Sequence, residues 1–203
     1  IFDLDGTLWE AIDTTLEAAN FVARLHNLNE VTRETVERGM GLSSLQNTEN
    51  YMPGLDTETA LKYIAEICQK NFELIKEKGA NVYDGVEDVI KELSKKYKLG
   101  IITNNYDEYV EAFFNTTGLK EYFIDYMGAA SYKISKGEAI KRMVEKNNEP
   151  NSFYIGDIKN DMLATNEAGI NFVHAKYGFD PDLQSKLYIN DIKELEDLLL
   201  SLE

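Results

Sequence analysis

The chain opens on Ile1-Phe2-Asp3-Leu4-Asp5, where apolar and acidic residues alternate as in a strand running out into a turn. From about Glu10 to Ala80 no stretch reads as a strand. Apolar positions recur there at helical spacing: Phe21, Val22, Leu25 and Leu28, then Leu61, Ile64, Ala65 and Cys68, continuing to Phe72 and Ile75. Several amphipathic helices are predicted, with Arg38-Gly39-Met40-Gly41 and Met52-Pro53-Gly54-Leu55-Asp56 as loops between them. From Asp84 the texture changes to helix and strand in alternation, which is the signature of a parallel sheet with crossover helices. Helices are predicted over Val86 to Lys96, Glu108 to Thr117, Gly137 to Asn147, Asp161 to Ala168 and Asp191 to Leu202. Strands are predicted over Leu99 to Thr103, Tyr126 to Ala129, Phe153 to Gly156 and Asn171 to Ala175. The expected fold is α/β, with residues 1–10 and 84–203 forming a Rossmann-like parallel-sheet core and residues 11–83 a small all-helical domain inserted after the first strand.

Charge narrows the range of partners. The 203-residue chain carries a formal net charge of -15, which argues against nucleic acid or anionic lipid as a partner, since both are held mainly by clustered Lys and Arg. An acidic protein that handles a small anion needs a local reversal of sign, supplied by a metal ion or a few converging cations and amides. Cys68 is the single cysteine, so no intramolecular disulfide can form. A reducing cytoplasm is the expected setting, with Cys68 as a small buried hydrophobe. No apolar run approaches the ~20 residues of a membrane span, and no signal peptide is expected ahead of Asp3. Ile1 and Phe2 read as the tail of a strand, from which a few upstream residues are expected. His26 and His174 are too few and too far apart for a metal cluster, and read as packing or surface residues, while Trp9 reads as packing near a domain junction in preference to lining a cleft.

Chemistry concentrates at predicted strand ends. In Asp3-Leu4-Asp5-Gly6-Thr7, residues two apart in an extended chain point the same way, so both carboxylates project from one strand end and together suit a hard cation. Gly6 permits a tight turn, and Thr7 offers a hydroxyl and an amide. A solvated turn is the bland alternative, whereas an EF-hand is excluded because Leu8 stands where its glycine belongs. Ile101-Ile102-Thr103-Asn104-Asn105 ends a second strand in a hydroxyl and amide donors suited to a phosphate oxygen. Tyr154-Ile155-Gly156-Asp157 ends a third in a carboxylate, with Asp161 one helical turn on. In an open parallel sheet the carboxyl ends of the strands converge on one crevice.

Taken in order, these pieces resemble the haloacid dehalogenase superfamily of aspartyl-phosphate hydrolases over nearly the whole chain. Asp3 and Asp5 fit its first motif, Thr103 its second, Lys136 its third, and Gly156-Asp157-Ile158-Lys159-Asn160-Asp161 its fourth. The helical insertion before Tyr83-Asp84-Gly85-Val86 resembles the cap of the phosphoglycolate phosphatase and β-phosphoglucomutase branch, as does Asn166-Glu167-Ala168-Gly169-Ile170. The usual proline after the third-motif lysine is Gly137 here, and Lys133 lies close by. Lys136 is preferred because it stands directly before a predicted helix. The resemblance implies a magnesium-dependent phosphatase acting on a small phosphomonoester. Asp3 is then the nucleophile and Asp5 the general acid and base. Magnesium is held by Asp3, Asp157 and the Asp5 carbonyl, and the phosphate by Thr103, Asn104 and Lys136. Asp161 and Thr7 support the site. Arg38 and Met40 are candidates for reading the leaving group, and hinges are expected near Trp9 to Ala11 and Val82 to Gly85.

Three rivals share the fold. A haloacid dehalogenase has no use for Asp5. A β-phosphoglucomutase uses both aspartates, but such mutases carry a His early in the first cap helix, and Ala11 to Ala18 contains neither His nor Lys. A non-catalytic binding protein would be marked by a lost motif residue, yet Asp3, Asp5, Thr103, Lys136 and Asp157 are all present. The identity of the phosphomonoester and the oligomeric state are not written in these motifs.

Overall fold

The computed structural model describes residues 1–202 and separates the chain into two compact units, Ile1–Glu10 with Val82–Glu203 and Ala11–Asn81. The first unit is built on a parallel sheet. Phe2 bridges Ile101 on one side and Ile155 on the other, with the Phe2 N–H donating to the Gly100 carbonyl and the Asp3 N–H to that of Ile155, both at 2.8 Å. The opening residues therefore lie at the centre of the sheet. On one side follow Leu99–Thr103 and then Phe123–Gly128. On the other follow Phe153–Gly156, Asn171–Ala175 and Tyr188–Ile189, all in parallel register.

This order explains the residue types. Every residue of Leu99–Thr103 is buried, as befits a strand of a parallel sheet covered on both faces. Ile102 packs with Tyr154 and Phe172 and with Ala139, Ile140 and Met143 of the helix Lys136–Asn147. That helix is started by Ser135, whose Oγ accepts the Glu138 N–H at 3.1 Å, a standard N-cap. The cap fixes Lys136 as the first helical residue. The helices Asp107–Thr117 and Lys159–Ala168 follow the strand ends at Thr103 and Gly156, and stop at Gly118 and Gly169. The predicted strands at Leu99, Phe153 and Asn171 have the observed bounds, while the one placed at Tyr126 begins at Phe123. The terminal helix is shorter than expected, a 3-10 turn over Ile192–Glu194 leading into Leu195–Leu200. The two-residue strand Tyr188–Ile189 was too short to carry a periodic signal.

The second unit consists of the helices Ile12–Leu25, Arg33–Gly39, Ser44–Tyr51 and Thr57–Lys78. Its buried faces differ from the expected ones. In the first helix Ile12, Thr15, Ala18, Ala19, Val22 and Ala23 are buried, whereas Phe21 is 45% and Leu25 61% exposed. Small residues let this helix pack closely against Thr57–Lys78, and its large apolar residues fall beside the contact. In the long helix Ala60, Ile64, Ile67, Leu74 and Ile75 are buried. The inward stripe is thus rotated by about one residue from the expected one, as the 3.6-residue turn allows. Cys68 consequently lies on the exposed side and is not the buried hydrophobe expected. Arg38 and Gly39, expected in a loop, close the second helix, which Thr32 caps by accepting the Thr35 N–H. His26 stacks on Tyr63 and pairs with Glu66 at 2.6 Å. Among the described residues no helix is long and apolar enough to cross a membrane.

The observed register makes a stability prediction. Val22→Ala should destabilise by about 2 kcal/mol while Leu25→Ala stays within about 0.5 kcal/mol of wild type. Urea unfolding of the two variants checks this, and equal losses would contradict the assigned face.

Candidate active site

The carboxyl ends of three neighbouring strands of the first unit bring the motif residues together. Asp3 and Asp5 leave the central segment, Thr103 ends the strand on one side, and Asp157 follows the strand on the other. Asp3, Thr7, Thr103, Lys136, Asp157 and Asp161 are all buried polar groups, an arrangement whose cost is met only by mutual pairing.

Lys136 provides most of that pairing. Its Nζ donates to Asp3 Oδ1 at 2.9 Å and to Asp161 Oδ1 at 2.5 Å. Lys133, by contrast, is exposed and sits in the left-handed region at φ 55°. Asp161 is fully engaged, because its Oδ2 also accepts the N–H groups of Asp157 at 3.1 Å and Ile158 at 3.3 Å. It therefore braces the loop and orients the lysine. Asp157 Oδ2 accepts the Phe179 N–H at 2.7 Å, and its Oδ1 receives a long contact from the Thr7 hydroxyl at 3.5 Å. The Thr103 hydroxyl accepts the Asn105 N–H at 3.2 Å. Asn104 is exposed, and it is Asn105 whose Nδ2 reaches Asp5 Oδ2, at 3.4 Å. Tyr109 donates its hydroxyl to Asp5 Oδ1 at 2.7 Å.

Two glycines make the packing possible. Gly6 has φ 83°, and a Cβ there would come within 2.1 Å of Asp157 Oδ2, so the turn after Asp5 needs glycine for both conformation and clearance. At Gly178 a Cβ would meet the Asp157 Cβ at 2.3 Å and the Gly6 carbonyl at 2.4 Å. The loop that delivers the Phe179 amide can approach only because that side chain is missing.

Burial pushes the Asp3 carboxyl up to about 7, assisted by the charge of Asp161 and opposed by Lys136. Burial likewise raises Asp157 well above the carboxylate range, with Asp161 and Asp3 adding to it, and lifts Asp5 to about 6 against the hydrogen bond from Tyr109. Burial alone would lower the Lys136 ammonium, but the charges of Asp161 and Asp3 outweigh it and hold the proton firmly. Oxygens of Asp3, Asp157 and Asp161 lie within 4.8 Å of one another. An all-oxygen, net negative cluster with one ammonium fits a hard divalent cation such as magnesium. Asp161 is the most fully engaged of the three, held by Lys136 and two amides.

Arg38 and Met40 belong to the helical unit. Arg38 pairs with Glu34 on its own helix at 3.0 Å, and Met40 is half-buried. Three contributors were not identified from sequence: Tyr109, Asn105 as the residue that reaches Asp5, and the Phe179 amide. Asn105 precedes the helix that carries Tyr109, and its place among the amide donors after the strand end at Thr103 was the available signal. Gly178 between two aromatics marked a close backbone approach, but a main-chain N–H leaves no mark of its own.

A chain with this sheet and these strand-end carboxylates matches the model of the haloacid dehalogenase-like hydrolases over residues 1–175, and it belongs to that family. Its sequence is 27% identical over 191 residues to a phosphoglycolate phosphatase of Vibrio vulnificus, covering 88% of this chain and 83% of that protein. It is 26% identical over 199 residues to a phosphoglycolate phosphatase of Synechococcus elongatus, covering 91% and 86%. The solved structure of a haloacid dehalogenase-like family hydrolase from Streptococcus pneumoniae superposes with a TM-score of 0.84 at 20% identity, over 100% of this chain and 96% of that one.

The raised carboxyls predict how metal and pH interact. An unfolded aspartate has lost its proton above about pH 4, while folded Asp3 keeps its own up to about 7. The folded form binds more protons in that window, so these groups favour folding less as pH rises. A divalent cation takes the place of the protons and binds best when they are gone. Magnesium should therefore raise Tm more at about pH 8 than at about pH 5.5 relative to chelator, the cation outcompeting fewer protons at the higher pH. A shift independent of pH in thermal melts would contradict this.

Proposed function

We propose that the chain is a phosphatase that hydrolyses a small phosphomonoester through a covalent phosphoaspartate on Asp3, with magnesium as cofactor. The observation that carries the reading is the pair of carboxylates at the end of the central segment, held in different environments. Asp3 is tied to the Lys136 ammonium at 2.9 Å, and Asp5 to the Tyr109 hydroxyl at 2.7 Å.

Lys136 opposes the rise that burial imposes on the Asp3 carboxyl and offers an ammonium to a phosphate oxygen, and Thr103 and Asn104, at the neighbouring strand end, take others. Asp3 attacks phosphorus in line as the bond to the leaving oxygen breaks, and Asp5 delivers its proton to the departing alkoxide. Asp5, now a carboxylate, accepts a proton from the water that attacks phosphorus and frees Asp3. The environment of Asp5 suits this exchange, since its carboxyl is raised to about 6 and can gain and lose a proton near neutrality. Asp3, Asp157 and the Asp5 carbonyl would hold the magnesium ion, which would supply the charge that lets a phosphate dianion enter an acidic cluster. Hydrolysis of such esters is so slow in water that clamping and charge compensation must contribute on the order of 20 kcal/mol or more.

The names of the relatives put phosphoglycolate first among substrates to try, followed by sugar phosphates. Wild-type protein should release phosphate from at least one small phosphomonoester, and only when magnesium is present. Asp3→Asn should lower the rate by at least about a thousandfold while leaving Tm close to wild type. Full activity in that variant, or release unaffected by chelator, would overturn the reading.

A further inference from the structure

Tyr109 lies in the first turn of the helix Asp107–Thr117, is 5% exposed, and turns its hydroxyl toward the first motif. Its ring is gripped edge-on by Trp9, with centroids 5.3 Å apart, and Trp9 is in turn edge-on to Phe113 at 5.4 Å. Trp9 is fully buried, so the phenol is held by a packed aromatic stack. A hydroxyl in such surroundings costs about 1–3 kcal/mol when unpaired, and phenylalanine would fill the same space without that penalty. The position nonetheless holds a tyrosine whose hydroxyl meets one acceptor, Asp5 Oδ1 at 2.7 Å. Asn105, in the loop ahead of the helix, approaches the other oxygen, Oδ2, at 3.4 Å.

We propose that Tyr109 is a positioning residue for the proton-transferring carboxyl of Asp5: it occupies Oδ1, fixes the plane of the carboxyl together with Asn105, and leaves Oδ2 as the oxygen that exchanges the proton. The inference rests on the phosphatase reading above and assigns an additional residue to its acid and base step. In the first half-reaction the Oδ2 proton passes to the leaving alkoxide as the phosphorus–oxygen bond breaks and the bond to Asp3 forms. In the second, a proton of the attacking water returns to Oδ2 as the bond between phosphorus and Asp3 breaks. Tyr109 keeps its own proton throughout. A carboxyl free to rotate would spend much of its time with neither oxygen directed at the substrate.

The test is Tyr109→Phe, which keeps the ring against Trp9 and Phe113, assayed with phosphoglycolate or another alkyl phosphate that the wild type hydrolyses and with p-nitrophenyl phosphate. With the alkyl ester, kcat should fall by about ten- to a hundredfold at nearly unchanged KM, less than the whole contribution of a general acid. The aryl leaving group departs without a proton, so rapid mixing should show a burst of nitrophenolate at close to the wild-type rate, followed by slowed turnover as the phosphoaspartate waits for its base. In an Asp5→Asn background the same exchange should cost nothing further, whereas general structural damage would cost as much there. An unchanged Tyr109→Phe enzyme beside an active wild type overturns this inference alone, as does an equal loss in the burst and in both backgrounds. A wild type that hydrolyses neither ester overturns the phosphatase reading with it.

Discussion

Three carboxylates, those of Asp3, Asp157 and Asp161, are buried around the single ammonium of Lys136, which bonds two of them directly. An arrangement so unbalanced persists only if backbone amides, protons or a cation make up the difference, because an unpaired buried charge is costly. The surroundings follow from that requirement. Asp161 spends its second oxygen on the N–H groups of Asp157 and Ile158, and Asp157 takes the N–H of Phe179. Gly6 and Gly178 are small because those loops must close to within contact of Asp157. Ser135 caps its helix so that Lys136 emerges at the start, aimed at Asp3. The same imbalance that strains the site on its own makes it receptive to a divalent cation and then to a phosphate dianion.

Two neighbouring carboxylates of the first motif are thereby given different work. Asp3 faces the ammonium and the other acids, while Asp5 faces a phenol from the helix that follows the adjacent strand and the Asn105 side-chain amide from the loop between them. Division of roles between like groups by their environment is a general route to acid and base chemistry on one site. Here the sheet order makes the division possible, because the central segment lies between the strand that leads to Tyr109 and the strand that leads to Asp157.

Much of this was legible in the sequence where a residue's position relative to a strand end determined its direction. Asp3, Asp5, Thr103 and Asp157 could be placed because buried strands are short apolar runs with clear ends. Lys136 could be separated from Lys133 because only one of them opens a helix. What escaped was of three kinds. The Phe179 amide is main chain and has no signature. Tyr109 looks like any core aromatic until the helix register aims its hydroxyl. In the helical unit the eye is drawn to Phe21 and Leu25, yet Ala18, Ala19 and Thr15 make the contact, because close helix packing selects small side chains and leaves large ones outside.

The central claim is that Asp3 carries the phosphoryl group, and the most direct measurement is to trap it there. Protein mixed with a phosphomonoester it hydrolyses and magnesium, quenched in acid during turnover and digested, should yield the peptide containing Asp3 with one added phosphoryl group that hydroxylamine removes. A phosphoryl group found on any other residue, or none at any time during rapid turnover, would contradict the account.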